Sequence, residues 1–114
     1  MAGGQMIGND HQKRQKGTIL VRIDPDLEDL IPGYLQNREK DIQRMTEALV
    51  KSDYETIRIL GHSMKGSGGG YGFDDITEIG RSLEGAAKEG NNERIRAIIE
   101  ELAVYLKQIQ IVYE

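Results

Sequence analysis

The sequence contains no cysteine, which excludes disulfides, thiolate metal sites and cysteine nucleophiles at once. That absence fits a reducing cytoplasm, the compartment expected for this chain. A basic excess is also missing. The formal net charge is −4, so a phosphate-backbone binder is a poor reading and nucleic acid is not expected as a partner. No apolar run approaches the roughly 20 residues that a membrane span needs. The polar start of the chain is not followed by the apolar stretch of a signal peptide, and no membrane association is expected. There is no internal repeat and no sign of a second domain. Of the two histidines, one lies in the N-terminal tail, and no Glu-x-x-His pair occurs, so a metal-binding bundle is unsupported.

What is there suits one soluble domain. The 114 residues are 38% hydrophobic and 30% charged, enough for a single modest core. Residues 1–17 are polar and aperiodic, and are expected to form a disordered tail. Thr18-Ile-Leu-Val-Arg-Ile23 has the composition of a strand, but no second convincing strand exists to pair with it. Residues 1–23 are therefore read as a flexible tail and an extended arm, and 24–114 as the folded domain. Asp24-Pro25 opens a helical pattern as an N-cap with proline at the first helical position. Leu27, Leu30, Ile31, Tyr34, Leu35, Ile42, Met45 and Leu49 form its apolar stripe, with a kink or restart expected at Pro32. Ser52-Asp-Tyr-Glu55 reads as a capping box before a second helix. Phe73-Asp74 starts a third, with Asp74 as its cap. Gly90 and Asn91 stop it and cap a fourth, whose stripe runs from Ile95 through Ile109. Four amphipathic helices with short connections predict an all-α, antiparallel, up-down-up-down four-helix bundle.

The chemistry lies in Ile57-Arg-Ile-Leu-Gly-His62-Ser-Met-Lys65-Gly66-Ser67. On a helical wheel Leu60 and Met64 join Ile57 on the core face, while His62 falls about 140° away from Ile57. The ring should project to solvent, with Arg58, Lys65 and Gly66 as neighbours one turn away. Each of these residues is ordinary by itself on a surface. Their conjunction is not, because Gly66 costs about 1 kcal/mol relative to alanine inside a helix. That cost makes sense if another backbone must come close. A lysine one turn from the ring makes sense if negative charge will accumulate there.

His62-x-x-Lys65-Gly66-Ser67, with Gly72 following, resembles the signature of histidine phosphotransfer (HPt) domains. Leu83-Glu84, Ala86-Ala87-x-x-Gly90 and Ile31-Pro-Gly-Tyr-Leu-Gln-Asn-Arg38 are similar to further parts of that family, so the resemblance spans about residues 24–113. The run Gly68-Gly69-Gly70 departs from the serine, alanine or asparagine more usual in the family, and bears on where the helix ends. The resemblance implies a monomeric phosphoryl carrier that is not itself a kinase, working between receiver-domain aspartates in a phosphorelay. It implies His62 as the phosphoacceptor through Nε2, Lys65 holding the phosphoryl oxygens, Gly66 leaving room for a docking receiver and Ser67 securing the local helix.

The chain has little catalytic machinery of its own, so no cofactor is expected on it. The aspartate and Mg²⁺ are expected on the partner receiver domain. Ile59, off the core face beside His62, is a candidate for an apolar docking surface, together with Arg58, Gly66 and Ser67. Rival readings fare worse. Neither G-x-x-x-x-G-K-[ST] nor G-x-G-x-x-G is satisfied by the glycines, and a hydrolase would need a nucleophile and an orienting acid around a cleft. An HPt-like adaptor that docks receivers without being phosphorylated is the remaining alternative.

Overall fold

The computed structural model describes residues 17–114, and the tail expected over the preceding residues lies outside them. Strand β1, Ile19–Ile23, is followed by a 3-10 turn, Pro25–Leu30. Four helices come next: α1, Ile31–Val50, α2, Tyr54–Ser67, α3, Asp74–Glu89, and α4, Asn92–Gln108. Strand β2, Ile109–Tyr113, ends the chain. The helices form the all-α bundle that the periodicity predicts. Each lays an apolar stripe on one core, in which Met45 of α1, Ile57 and Met64 of α2, Ile76 and Leu83 of α3 and Ile95 and Leu102 of α4 are fully buried. Burial of such stripes supplies most of the stability of helices this short.

The helix boundaries follow from local chemistry and correct several expectations. Asp24 does cap, its carboxylate accepting from the Asp26 N–H, but what it caps is the 3-10 turn. The α-helix restarts at Ile31 with Pro32 in its first turn, where a proline loses no hydrogen bond. Leu30 is consequently left on the turn, more than half exposed, rather than on the core stripe. Ser52 does not cap α2. It takes a left-handed backbone (φ 55°) and ends α1 in a Schellman turn, with the Asp53 N–H donating to the Ala48 carbonyl and the Ser52 N–H to that of Leu49. Asp53 is the cap instead, accepting from the Thr56 N–H and hydroxyl. Asp74 is likewise the first residue of α3 rather than its cap, where its negative charge still faces the positive end of the helix dipole. Gly90 (φ 63°) ends α3 and Asn91 caps α4, as expected.

The largest correction concerns residues 18–23. They are not an unpaired arm: β1 pairs in parallel with β2, from Ile19 beside Ile109 to Ile23 beside Tyr113. Ile109 therefore leaves the fourth helix and begins a strand. Ile109-Gln-Ile-Val-Tyr113 is rich in β-branched and aromatic residues; the Ile109 N–H still donates to the Tyr105 carbonyl of α4, and the segment pairs along its length with the distant β1. Ile23 is buried in the main core, so the small sheet is pinned to the bundle.

Helices α2 and α3 approach each other backbone to backbone. A Cβ on Gly80 would lie 2.5 Å from the Lys65 nitrogen and 2.6 Å from the Gly61 carbonyl oxygen, and one on Gly61 would lie 2.8 Å from the Glu84 nitrogen. Gly85, on the same helix, has open space where a Cβ would be. Gly80→Ala should therefore destabilise the domain by about 1–3 kcal/mol, the usual scale of overpacking. Gly85→Ala should stabilise it by about 0.5–1 kcal/mol through helix propensity. Urea unfolding of the two variants, one methyl each on one helix, checks both signs.

Candidate functional site

Helix α2 buries Ile57, Leu60, Gly61 and Met64, and this fixes the direction of everything else on it. The His62 side chain lies on the opposite side and is 64% exposed. Its Nδ1 sits 3.0 Å from Glu84 Oε2, and the other carboxylate oxygen, Oε1, is 2.8 Å from Lys65 Nζ. One acid on α3 thus joins two bases on α2. Glu84 is almost fully buried while both partners reach solvent.

The Lys65 ammonium, with a smaller contribution from His62, holds the Glu84 carboxyl down to about 2, against the desolvation that opposes ionisation. Glu84 is therefore a carboxylate near neutrality, and a carboxylate can only accept. The hydrogen at the contact must sit on Nδ1, which donates to Oε2. In the neutral ring the lone pair is then on Nε2. The buried acid selects the tautomer of the exposed ring.

Gly66 follows Lys65 on the exposed surface, with nothing within 4 Å of where its Cβ would be. Ile59 is also exposed, at 52%. His62, Lys65, Gly66 and Ile59 are thus all reached from solvent along α2. The other two candidates do not bond to the ring, Lys65 or Glu84. The Arg58 guanidinium forks onto Glu55 of its own helix. The Ser67 hydroxyl lies 2.9 Å from the Tyr34 hydroxyl, tying the end of α2 to α1. Tyr34 in turn stacks on Tyr71 and Phe73 and carries Arg38 over its ring.

The glycine run is ordered by specific contacts. Gly68 packs so closely on α3 that a Cβ would lie 2.6 Å from the Thr77 nitrogen. The Gly69 N–H donates to the Thr77 hydroxyl, and Gly72 closes the turn at φ 95°. The end of α2 is therefore fixed by backbone packing that larger residues would prevent.

Glu84 is the residue to which sequence reasoning gave no role. A signal for it exists. Glu84 lies between Leu83 and Ala86-Ala87 on the apolar stripe of α3, four residues after Gly80. A charged residue on a buried stripe is seldom left without a partner.

Four antiparallel helices presenting an exposed histidine, with a lysine and a glycine beside it, define a helical histidine-phosphotransfer scaffold. A model of the Hpt domain family matches residues 29–111, and the chain belongs to that family. Hpt domains are phosphoryl-carrier modules of two-component phosphorelays and interact with the receiver domains of response regulators. No curated protein and no solved structure matches the chain significantly. Among the described residues, no helix is long and apolar enough to cross a membrane.

The depressed Glu84 carboxyl makes stability depend on pH with a definite sign. Its folded-state value, about 2, lies below the ordinary 4.5. The contribution is therefore complete above the ordinary value, and is lost as pH falls from there through the folded-state value, because the unfolded chain takes up the proton first. The stability difference between the wild type and Glu84→Gln, measured by urea unfolding, should stay constant at neutral pH and shrink steadily over that acid range. A constant difference throughout would mean that the Lys65–Glu84 contact does not hold the carboxyl down.

Proposed function

We propose that His62 accepts a phosphoryl group at Nε2 from the aspartyl phosphate of a receiver domain and passes it to an aspartate of another. The observation that carries this reading is the Nδ1–Glu84 hydrogen bond on an exposed ring, which leaves the Nε2 lone pair as the nucleophile. The N–P bond forms at Nε2 as the bond from phosphorus to the aspartate oxygen breaks, with nucleophile and leaving group in line. The ring gains positive charge as the bond forms, and the Glu84 carboxylate at Nδ1 stabilises it, as the orienting acid of a catalytic triad does. Lys65 Nζ is anchored by one carboxylate oxygen and has two further donors to offer to phosphoryl oxygens.

In this reading Ile59 and Gly66 belong to the surface on which the receiver docks, Gly66 by leaving room for its backbone and Ile59 by apolar contact. Arg58 lies at the margin of that surface. Ser67 acts from behind, by holding the end of α2 on Tyr34. The reactive aspartate and the Mg²⁺ belong to the receiver. The domain works as a monomer in the cytoplasm and has no kinase activity of its own.

The test is incubation with a phosphorylated receiver domain, read by intact mass before and after mild acid. An acid-labile gain of one phosphoryl group is expected, absent from His62→Gln. Binding to receivers without any gain would make the chain a docking adaptor. Glu84→Gln should retain the acceptor but slow transfer by about ten- to hundredfold, the worth of a hydrogen bond to a charged group. Ile59→Asp should weaken transfer by impairing docking, with the fold intact by circular dichroism.

A further inference from the structure

The parallel pairing of β1 with β2 leaves one edge of β1 open. The Glu114 N–H donates to the Ile23 carbonyl, so Ile23 turns its backbone groups toward β2. Backbone direction alternates along a strand. Ile19 and Val21 therefore face β2 as well, while Leu20 and Arg22 turn their N–H and carbonyl groups outward. No hydrogen bond reaches these outward groups among the described residues.

The open edge borders a groove. Ile19 to Arg22 line it together with Asp74 and Asp75 from the first turn of α3 and Tyr105 of α4, and no β2 residue takes part. Ile19, Asp75 and Tyr105 also line a second groove, between α3 and α4, so the two are continuous. The second has an apolar floor that includes Ile79 and Val104, acids on its rim and no basic residue in its lining. Its Glu78 is engaged by Arg81, whereas Asp74, Asp75, Glu100 and Glu101 form no ion pair among the described residues. Arg22, the one base at the first groove, lies 3.6 Å from Glu114. On the α3 wheel Glu78 and Ser82 fall roughly opposite Gly80 and Glu84, so this side of the bundle faces away from the histidine.

An unpaired strand edge is a template for another chain. In such additions the backbone bonds supply affinity and the alternating side chains supply specificity. A strand added beside β1 would continue its pleat. Ile19 and Val21 lean on the bundle while Leu20 and Arg22 are exposed, so every second side chain of the added strand would face inward, over Asp74 and Asp75. Basic residues at those positions would meet unpaired acids, and acidic ones would meet like charge. The side chains between them would lie beside Leu20, which is 54% exposed. Past Ile19 the segment would enter the α3–α4 groove, where Glu100, Glu101 and the exposed part of Val104 again suit basic and apolar residues together.

We propose that the open edge of β1 and the α3–α4 groove form one docking site for an extended segment of another protein, with basic and apolar residues in alternation, bound by strand addition. This does not rest on the phosphotransfer reading, since it uses neither His62 nor its neighbours.

The probe is the end-capped peptide Lys-Val-Lys-Val-Lys-Val-Lys, titrated into the isotope-labelled full-length protein and read by amide chemical shifts. Saturable shifts are expected at Leu20, Arg22, Asp75, Glu101 and Val104, with Ile59, His62 and Gly66 unmoved. Glu100→Lys/Glu101→Lys should weaken binding by about tenfold. Glu39→Lys/Glu47→Lys on α1, the same change in net charge, should leave it unchanged. Lys-Pro-Lys-Pro-Lys-Pro-Lys, equal in charge but unable to pair as a strand, should not shift Leu20 or Arg22. No saturable shift at millimolar peptide, or shifts spread over the whole surface, would overturn the proposal. So would binding that the rim reversal leaves intact, or equal shifts with the proline peptide. Shifts at the same amides that grow with protein concentration alone would give the site to a second copy. Shifts that appear only after deletion of residues 1–16 would give it to the start of the chain, and either result equally overturns the proposal.

Discussion

The approach of α2 to α3 at Gly61 and Gly80 is the constraint on which the site depends. With no Cβ on either residue, the two backbones come within a distance that any side chain would forbid. Gly61 immediately precedes His62, and Glu84 lies one turn beyond Gly80. Glu84 then meets His62 and Lys65 one turn apart on the neighbouring helix, while remaining buried itself. A wider crossing would leave the carboxylate buried without its partners, the costly arrangement for a charge in a protein interior. The glycine contact and the acid–base cluster are therefore a single device. The turn after α2 extends it, with Gly68 packed on the Thr77 backbone in the same manner.

The division of exposure within that cluster is what suits it to a carrier. The acid is hidden and the bases are reachable, so a partner meets a histidine whose tautomer is already set and a lysine whose amine is already placed. Fixed geometry lowers the reorganisation that a transfer step otherwise requires. The ring meanwhile stays exposed among the described residues, and Gly66 adds no side chain to obstruct an incoming backbone.

Much of this was legible in the sequence, and the reasons for the failures are physical. The four helical stripes, the restart at Pro32, the stop at Gly90 and the outward direction of His62 all follow from local periodicity and backbone chemistry. The capping box read at Ser52–Glu55 misses the true cap, because Ser52 and Asp53 can both cap and the choice between them depends on how α1 ends. The Ile109–Tyr113 strand was absorbed into the fourth helix because its apolar residues continue the stripe, and only pairing with β1 distinguishes the two conformations. Glu84 was passed over because its value comes from α2 across the glycine contact, which no spacing within α3 reveals. The glycine run leaves the end of α2 open in the sequence, and contacts of Gly68 and Gly69 with Thr77 of α3 decide it.

The pairing of β1 with β2 also has a bearing on how the molecule assembles. The helices make most of their contacts with sequence neighbours, whereas the two strands come from near the ends of the described chain. Closing a loop of about ninety residues costs on the order of 4 kcal/mol in chain entropy when nothing else has ordered the chain. Once the bundle has brought Ile109 close to the path of Ile19, most of that cost has already been met. Pairing of the strands is thus least costly on an already packed bundle, and the sheet forms a clasp that joins the two ends of the described chain. Because Ile23 reaches the core at one end of the clasp, its opening would loosen the packing between Gly72 and Ile23. The turn that ends α2 would thus feel the state of a sheet that lies outside the histidine's own surroundings.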